Sequence, residues 1–312
     1  MSWFANRRRI PGWMAISLHP ERIDFAHIER GPSGRPTVHR LESYQRDGED
    51  AATFERLRRE LGLGKFRCTT LLNRGDYQML QVEAPSVAAN EAKEALRWRI
   101  KDQLDFPAET ATLDVIAIPS ADASRAKLMF AVAAANERIQ ARQTLLEEAG
   151  VALEAIDIPE LAQRNVANLF AIEGRALAML TIDAEGGLLT FTFAGELCAC
   201  RNIEITLGQL AGADDERRYA YFERIGLELQ RSLDNFDRQF SHAPLAKLLV
   251  APTPDVPGLV EYLSANLYLP IELFDLKSVL DFPAVPELKN PQRQLQCLHT
   301  LGAALRDDSQ PA

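Results

Sequence analysis

Ala15-Ile-Ser-Leu-His-Pro-Glu-Arg-Ile-Asp-Phe-Ala-His-Ile28 consists of two alternating apolar and polar runs broken at Pro20-Glu21. Alternation marks a strand with one face buried, and proline at the break favours a turn, so this stretch predicts a β-hairpin. A third strand is expected over Thr37 to Tyr44. A helix follows from Thr53 to Leu61, where Phe54, Leu57 and Leu61 share a face before Gly62. The second half restarts in the same way. Ala176 to Asp183, a Glu185-Gly-Gly187 turn, Leu188 to Phe193 and Leu197 to Ile203 predict an antiparallel meander. In the helix after it, Phe222, Ile225, Leu229, Leu233, Phe236 and Phe240 form one apolar stripe. Strand Lys247 to Ala251, helix Pro257 to Leu267, strand Ile271 to Phe274 and a last helix over Gln292 to Leu305 complete an alternating pattern. Two halves of this kind read as a duplicated α/β architecture.

The first half carries extra elements. Strands Arg67 to Leu72 and Tyr77 to Val82 are joined through Asn73-Arg-Gly-Asp76, and a helix over Ala89 to Leu104 places Ala92, Leu96, Ile100 and Leu104 one turn apart. Strands Leu113 to Ile118 and Lys127 to Ala133 come next, then a helix from Glu137 to Ala149 with Gly150 at its end. Strand Ala152 to Ile158 leads into a helix that opens at Pro159 and runs to Phe170. The whole reads as an α+β subdomain inserted into the first half.

Composition narrows the function. The chain has 312 residues, 35 Lys+Arg against 44 Asp+Glu, and a formal net charge of -9, with 46% hydrophobic residues. That length supports two domains with real cores and excludes a disordered chain. An acidic chain without a long basic tract attracts phosphate backbones poorly, so no nucleic-acid partner is expected. Met1 to Ile10 lacks the apolar core of a secretory signal, and no apolar run reaches the roughly 18 residues of a membrane span, so a cytoplasmic protein is expected. Trp3 and Phe4 beside Arg7, Arg8 and Arg9 form a candidate peripheral anchor for the anionic inner-membrane face.

Catalytic signatures are missing from the sequence. Cys68, Cys198, Cys200 and Cys297 make no C-x-x-C and have no histidine at ligand spacing, so reduced structural thiols and no metal are expected. Gly62-Leu-Gly-Lys65 lacks the spacing of a phosphate loop, and Phe66 stands where a hydroxyl would hold Mg²⁺, so it reads as a helix stop. The five histidines form no H-E-x-x-H, and no G-x-S-x-G elbow occurs. Glu91 and Asp102 read as surface charges of a helix.

The order of these elements resembles the PilM family, the actin-like cytoplasmic proteins of type IV pilus assembly. The likeness is carried by Tyr77-Gln-Met-Leu-Gln-Val-Glu-Ala-Pro85, Glu91-Ala-Lys-Glu-Ala-Leu-Arg-Trp-Arg-Ile100, Leu104-Asp-Phe-Pro107 and Ala131-Val-Ala-Ala134. Glu148-Ala-Gly150, Ile156-Asp-Ile-Pro-Glu160 and Gln230-Arg-Ser-Leu-Asp-Asn-Phe236 extend it over nearly the whole chain, and its nearest likeness is to the branch serving the mannose-sensitive haemagglutinin (MSHA) pilus. The resemblance implies an α/β, actin-like (actin/FtsA-type) two-lobed fold with an α+β subdomain inserted in the first lobe. The expected parts are residues 1–64 of the first lobe, the insert at 65–150, a return to the first lobe at 151–175, the second lobe at 176–290, and a C-terminal helix at 291–312 packing back on the first lobe. It also implies a partner, the cytoplasmic tail of a bitopic PilN-like inner-membrane protein, docking near the junction of the first lobe and the insert. Arg74, Arg97, Trp98 and Lys101 are the candidate partner-binding residues.

Actin-like folds hold ATP through two hairpins whose amides cradle phosphates while an acidic side chain orients hydrated Mg²⁺. The family's first hairpin reads Asp-Ile-Gly-Ser-Ser-Ser-x-Lys. Here Ser17 replaces the acid, His19 replaces the glycine, Pro20 lacks an amide hydrogen and Glu21 adds negative charge. In the second hairpin the acid and glycine positions fall on Thr181-Ile-Asp183, with Glu185 and Gly186 keeping a tight turn, while Arg201 fits the family's arginine. Ala251-Pro-Thr-Pro254, with Thr253 at its centre, stands where an adenosine-contacting Gly-Gly would be. The expectation is a non-catalytic scaffold with a degenerate pocket, no cofactor, and at most weak ATP or ADP binding. The alternative is an active ATPase whose nucleotide state switches partner binding.

Overall fold

A computed structural model describes residues 9–31, 34–46, 50–87, 91–120 and 127–307. Their contacts separate two compact units. One holds the described residues up to Glu29, Arg40–Pro159 and Asp307; the other holds Arg30–His39 and Glu160–Arg306.

The first unit opens with β1 (Trp13–Leu18), β2 (Arg22–Arg30) and, from Arg40 onward, β3 (Pro36–Gln45), followed by α1 (Asp50–Leu61) and β4 (Arg67–Leu71). After β5 (Tyr77–Glu83), α2 (Ala92–Ile100), β6 (Ala111–Ala117), β7 (Leu128–Ala135) and α3 (Asn136–Glu148), the chain returns as β8 (Leu153–Asp157). The expected hairpin forms with Ser17 opposite Asp24 and Ile16 opposite Phe25. The main sheet runs β3-β2-β1-β4-β8, with β4 parallel to both β1 and β8. Alternation sends Met14, Ile16 and Leu18 to one face, where they meet Phe54 and Leu57 of α1 and Leu146 of α3 in a single core. Each such side chain contributes about 1.5–3 kcal/mol on full burial. Gly62, at φ 66, ends α1 and opens a 3₁₀ turn over Leu63–Lys65, which is the helix stop read from the sequence.

The inserted sheet is three-stranded and antiparallel, in the order β5-β7-β6. α2 lies on one of its faces through Leu96 and Ile100, which share a core with Val82, Leu113, Ala131 and Ala133. Sequence spacing places 65–150 in the insert, but strand pairing gives β4 to the main sheet, and Leu146 gives α3 to the main core. The three-stranded sheet and its helix therefore lie between Tyr77 and Ala135.

The second unit begins its regular structure with α4 (Pro159–Ala167), then β9 (Ala176–Ile182), β10 (Gly187–Phe193), β11 (Glu196–Ile203), α5 (Leu207–Ala211) and α6 (Asp215–Gln239). It ends with β12 (Leu245–Val250), α7 (Leu259–Asn266), β13 (Ile271–Leu273), α8 (Pro291–Gln296) and α9 (Leu298–Ala304). The sheet runs β11-β10-β9-β12-β13. Numbered within its own sheet, each five-stranded sheet has the order 3-2-1-4-5, so the duplication inferred from the sequence extends to strand order. All six residues of the α6 stripe are buried, and Phe191 of β10 stacks on Phe236 at 4.6 Å. α5 is not signalled by apolar periodicity; its local sign is the Thr206/Gln209 capping box. The single C-terminal helix expected over Gln292 to Leu305 is broken at Cys297, whose φ of -108 and ψ of 11 depart from helical values. Four cysteines are free thiols, and burial pushes Cys68, Cys198 and Cys200 up to about 12.

Candidate functional site

Ser17, His19 and Glu21 come together at the β1–β2 hairpin of the first unit. The hairpin closes on itself: His19 N–H donates to Arg22 O at 2.8 Å, and Pro20 has no hydrogen to offer. Arg46 seals the tip, its amide donating to Glu21 O at 2.9 Å and its Nη1 to His19 O at 3.0 Å. Ser17 is buried on β1 and Glu21 is exposed.

The residue that organises this hairpin is Asp24, to which the sequence reading gives no role. It lies directly across the strands from Ser17 and is fully buried. Arg22 Nε donates to its Oδ2 at 2.9 Å, His19 Nε2 lies 3.1 Å from the same oxygen, and Ser43 Oγ donates to Oδ1. Burial alone would raise the Asp24 carboxyl, but the His19 and Ser43 side chains and the Arg22 charge outweigh it and hold the carboxyl below the ordinary value. Position 17 is a serine, and the acid that faces it across the pair is held by the protein's own groups.

A carboxylate with a lowered folded value stabilises the fold above its unfolded value and loses that contribution as pH falls through the folded one. Asp24→Asn is expected to cost about 2–3 kcal/mol at neutral pH, the worth of hydrogen bonds to a charged acceptor. The wild type should lose this margin below about pH 4, so that the two proteins, which share every other carboxylate, converge there. Urea midpoints of both proteins across pH 3–7 check it; parallel curves would show that Asp24 is not ionised in the fold.

In the second unit, Asp183, Glu185 and Gly186 form the β9–β10 turn. Asp183 Oδ1 accepts the Glu185 amide at 2.8 Å and the Gly186 amide at 3.1 Å, while Asp183 N–H donates to Gly186 O at 3.0 Å. The two amides best placed to meet an anion are engaged by a carboxylate. Gly186 is at φ 128, a conformation that favours glycine. Beneath the turn, the Nε2 of buried Gln163 on α4 shares its two hydrogens among Met179 O, Leu188 O and Thr190 Oγ1, at 2.9, 3.1 and 3.0 Å, and its Oε1 accepts from Thr181 Oγ1 at 2.7 Å. His299 Nδ1 stands 3.8 Å from Asp183 Oδ2. Gln163 and His299 were not found from the sequence, because only packing of α4 and α9 brings them to the turn. Ala251, at the end of β12, is buried and bonded to Leu180 O at 2.8 Å, and Thr253 accepts from Val256 N–H at 2.9 Å. Arg201 is paired with Glu228 at 3.1 Å.

The partner-binding candidates divide by geometry. Arg97 donates through Nη1 to Ala108 O and to Ala111 O, the latter at 2.7 Å, and lies 3.4 Å from Glu94, so it clamps α2 to the start of β6. Its Nη1 and Nε are engaged within the insert. Arg74 is half-buried in the β4–β5 turn. Trp98 is 61% exposed on the outer side of α2, opposite Leu96 and Ile100, with Lys101 Nζ 5.5 Å from its ring centroid. Of the candidate membrane anchor, Trp3, Phe4, Arg7 and Arg8 lie outside the described residues. Arg9 is paired with Glu154, which Arg67 also holds at 2.9 Å, and its side chain stays 57% exposed.

A scan against protein-family models finds no match, and no curated protein matches the chain. Solved structures do. The PilM–PilN type IV pilus biogenesis complex superposes with a TM-score of 0.71 at 19% identity, over 96% of this chain and 98% of that one. The fold is PilM-like and actin-like. The cytoplasmic domain of EpsL, an inner-membrane component of the Vibrio cholerae type II secretion system, gives 0.49 at 12% identity, over 95% of each chain. A Bacteroides thetaiotaomicron protein of unknown function with an actin-like ATPase fold gives 0.49 at 11%, over 95% of this chain and 99% of that one. The PilM-like fold explains why the two sheets repeat one strand order and why each unit presents a hairpin at equivalent strands. Among the described residues, no helix is long and apolar enough to cross a membrane.

Proposed function

We propose that this chain is a PilM-like scaffold of type IV pilus assembly, of the MSHA-pilus (MshI) type, that docks the cytoplasmic tail of a bitopic PilN-like protein at the cytoplasmic face of the inner membrane. The observation that carries the reading is the end-to-end likeness to the PilM chain of a PilM–PilN complex. The tail is taken up on the insert, with Trp98 as the apolar anchor and Lys101 beside it. The nucleotide pocket is degenerate, and the protein is a pseudo-ATPase with at most weak ATP or ADP binding. Support for this comes from the hairpins: Asp24 is held by Arg22 and Ser43, and the Glu185 and Gly186 amides are engaged by Asp183, so a phosphate would have to displace internal partners and approach a carboxylate.

Titration of the full chain with a fluorescent synthetic tail of the PilN-like protein, with and without Mg-ATP, tests both parts. Tail binding with the same Kd in either condition, and phosphate release no faster than in buffer, is the expected result. Stoichiometric ATP turnover would replace this reading with that of a nucleotide-switched ATPase, and a tail that does not bind would remove the scaffold reading.

A further inference from the structure

α6 buries one face and carries a regular charge pattern on the other. Along its 25 residues Glu216-Arg217, Glu223-Arg224, Gln230-Arg231 and Asp237-Arg238 recur every seven positions, and all of these side chains are exposed. Seven residues are close to two helical turns. The arginines therefore form one ridge and the acids with Gln230 a second, about 100° apart around the helix. Between the ridges run Ala220, Leu227 and Asp234, again seven apart, and Leu227 is 48% exposed at the middle of the helix. α7 flanks the acidic side through the Tyr219 and Tyr262 rings, and β11 flanks the arginine side through Arg201 and Glu228, so the strip between them is open.

The ridges are under-paired within the chain. Glu216 and Glu223 have no cation three or four residues away, and neighbours at i and i+1 point apart, so neither acid reaches the arginine that follows it. Neither acid, nor Arg224, has an ion-pair partner among the described residues. The other contacts are single and solvent-exposed. Arg217 lies 3.7 Å from Asp214 and Arg231 3.5 Å from Glu228, Arg238 Nε donates to Asp234 O at 3.1 Å, and the Tyr268 hydroxyl donates to Asp237 at 2.9 Å. Contacts of this kind contribute little and leave most of each charged group open to another partner.

Symmetry fixes what can satisfy both ridges at once. A twofold axis parallel to α6 sets the arginine ridge of one copy against the acidic ridge of the other at the same height. Each dipeptide then meets itself: Glu223 faces the partner's Arg224 while Arg224 faces the partner's Glu223, and the layers at 216/217, 230/231 and 237/238 repeat the arrangement. Leu227 and Ala220 pack on their own copies, and Asp234 meets its copy with Arg231 and Arg238 of both helices beside it. A twofold that reverses the helix would set arginine against arginine and acid against acid, which disfavours it. The seven-residue period is that of a left-handed helix pair.

We propose that a second copy of this chain docks on α6, parallel and in register, in a twofold dimer centred on Leu227. One helix pair is a small interface, so sedimentation equilibrium of the full chain should give a monomer–dimer equilibrium with Kd of about 100 µM or tighter in about 50 mM salt. In about 500 mM salt it should weaken about ten-fold. Leu227→Glu should leave monomer alone and Arg224→Glu should weaken the dimer at least about ten-fold, both with Tm unchanged because the sites are exposed. Combining Glu223→Arg with Arg224→Glu should restore it, since each pair is exchanged as a whole. Ala220→Cys should be trapped as an oxidised dimer, whereas in a reversed pair the two positions would stand about 21 Å apart along the axis. A chain that stays monomeric to about 500 µM, or a dimer indifferent to Leu227→Glu, would overturn the proposal. So would tightening by Arg224→Glu, failure of Ala220→Cys to crosslink, or Arg224-dependent binding to phosphatidylglycerol vesicles without self-association.

Discussion

Gly302→Ala is expected to destabilise the second unit by about 3 kcal/mol or more, the upper range for forcing extra volume into a packed core. A Cβ on Gly302 would lie 2.1 Å from Ala162 O and 2.6 Å from the Ala162 carbonyl carbon, and both are backbone atoms of α4 that no rotamer change can move. The contact is held from the other side as well, because Asn165 Nδ2 of α4 donates to Gly302 O at 2.9 Å. α4 and α9 thus touch backbone to backbone, and the alanine must push them apart. Since α4 carries Gln163 and α9 carries His299, the same displacement would loosen the base of the Asp183 turn. Guanidinium unfolding measures it. Gly208→Ala is the matched control: its Cβ has nothing closer than Thr206 Oγ1 at 3.9 Å, so the better helix former should leave stability unchanged or raise it by about 0.5–1 kcal/mol. Equal midpoints for Gly302→Ala and wild type would show that α9 does not pack on α4 in this way.

Trp98→Ala is expected to reduce tail affinity about 30-fold or more, corresponding to at least about 2 kcal/mol for a central aromatic anchor. The same substitution should leave stability within about 0.5 kcal/mol, because the indole is 61% exposed and the core contacts of α2 come from Leu96 and Ile100. Arg97→Ala supplies the opposite signature. Its guanidinium bonds Ala108 O and Ala111 O, so its loss should lower the melting temperature while the affinity of the folded protein stays close to wild type. Binding by anisotropy and melting by circular dichroism separate the two. Unchanged affinity in Trp98→Ala would place the tail elsewhere on the chain.

Local patterning carried the reading wherever one element's own neighbours decide it. The Pro20 break, the alternation around it, the α6 stripe and the Gly62 stop each depend on residues within a few positions, and each has its expected form. The site was legible only by subtraction: the residues missing at 17 and 19 are visible in the sequence, but Asp24 as their counterpart is not. Its clue was present, since a hairpin turning between Leu18 and Arg22 must pair Ser17 with Asp24. Arg97 shows the reverse failure. A basic residue on a helix reads as a surface charge, and only the approach of the β6 start to α2 turns it into a carbonyl clamp.

By itself the sequence determined the elements and their repetition across two halves, because these rest on side-chain period. The tertiary structure alone decided that β4 lies between β1 and β8 and that α3 belongs to the main core. It also brought Gln163 and His299 beneath the Asp183 turn and committed the turn's amides to that carboxylate. Each of these depends on pairing between residues far apart in the chain, and sequence period says which face of an element is apolar without saying which distant element will cover it.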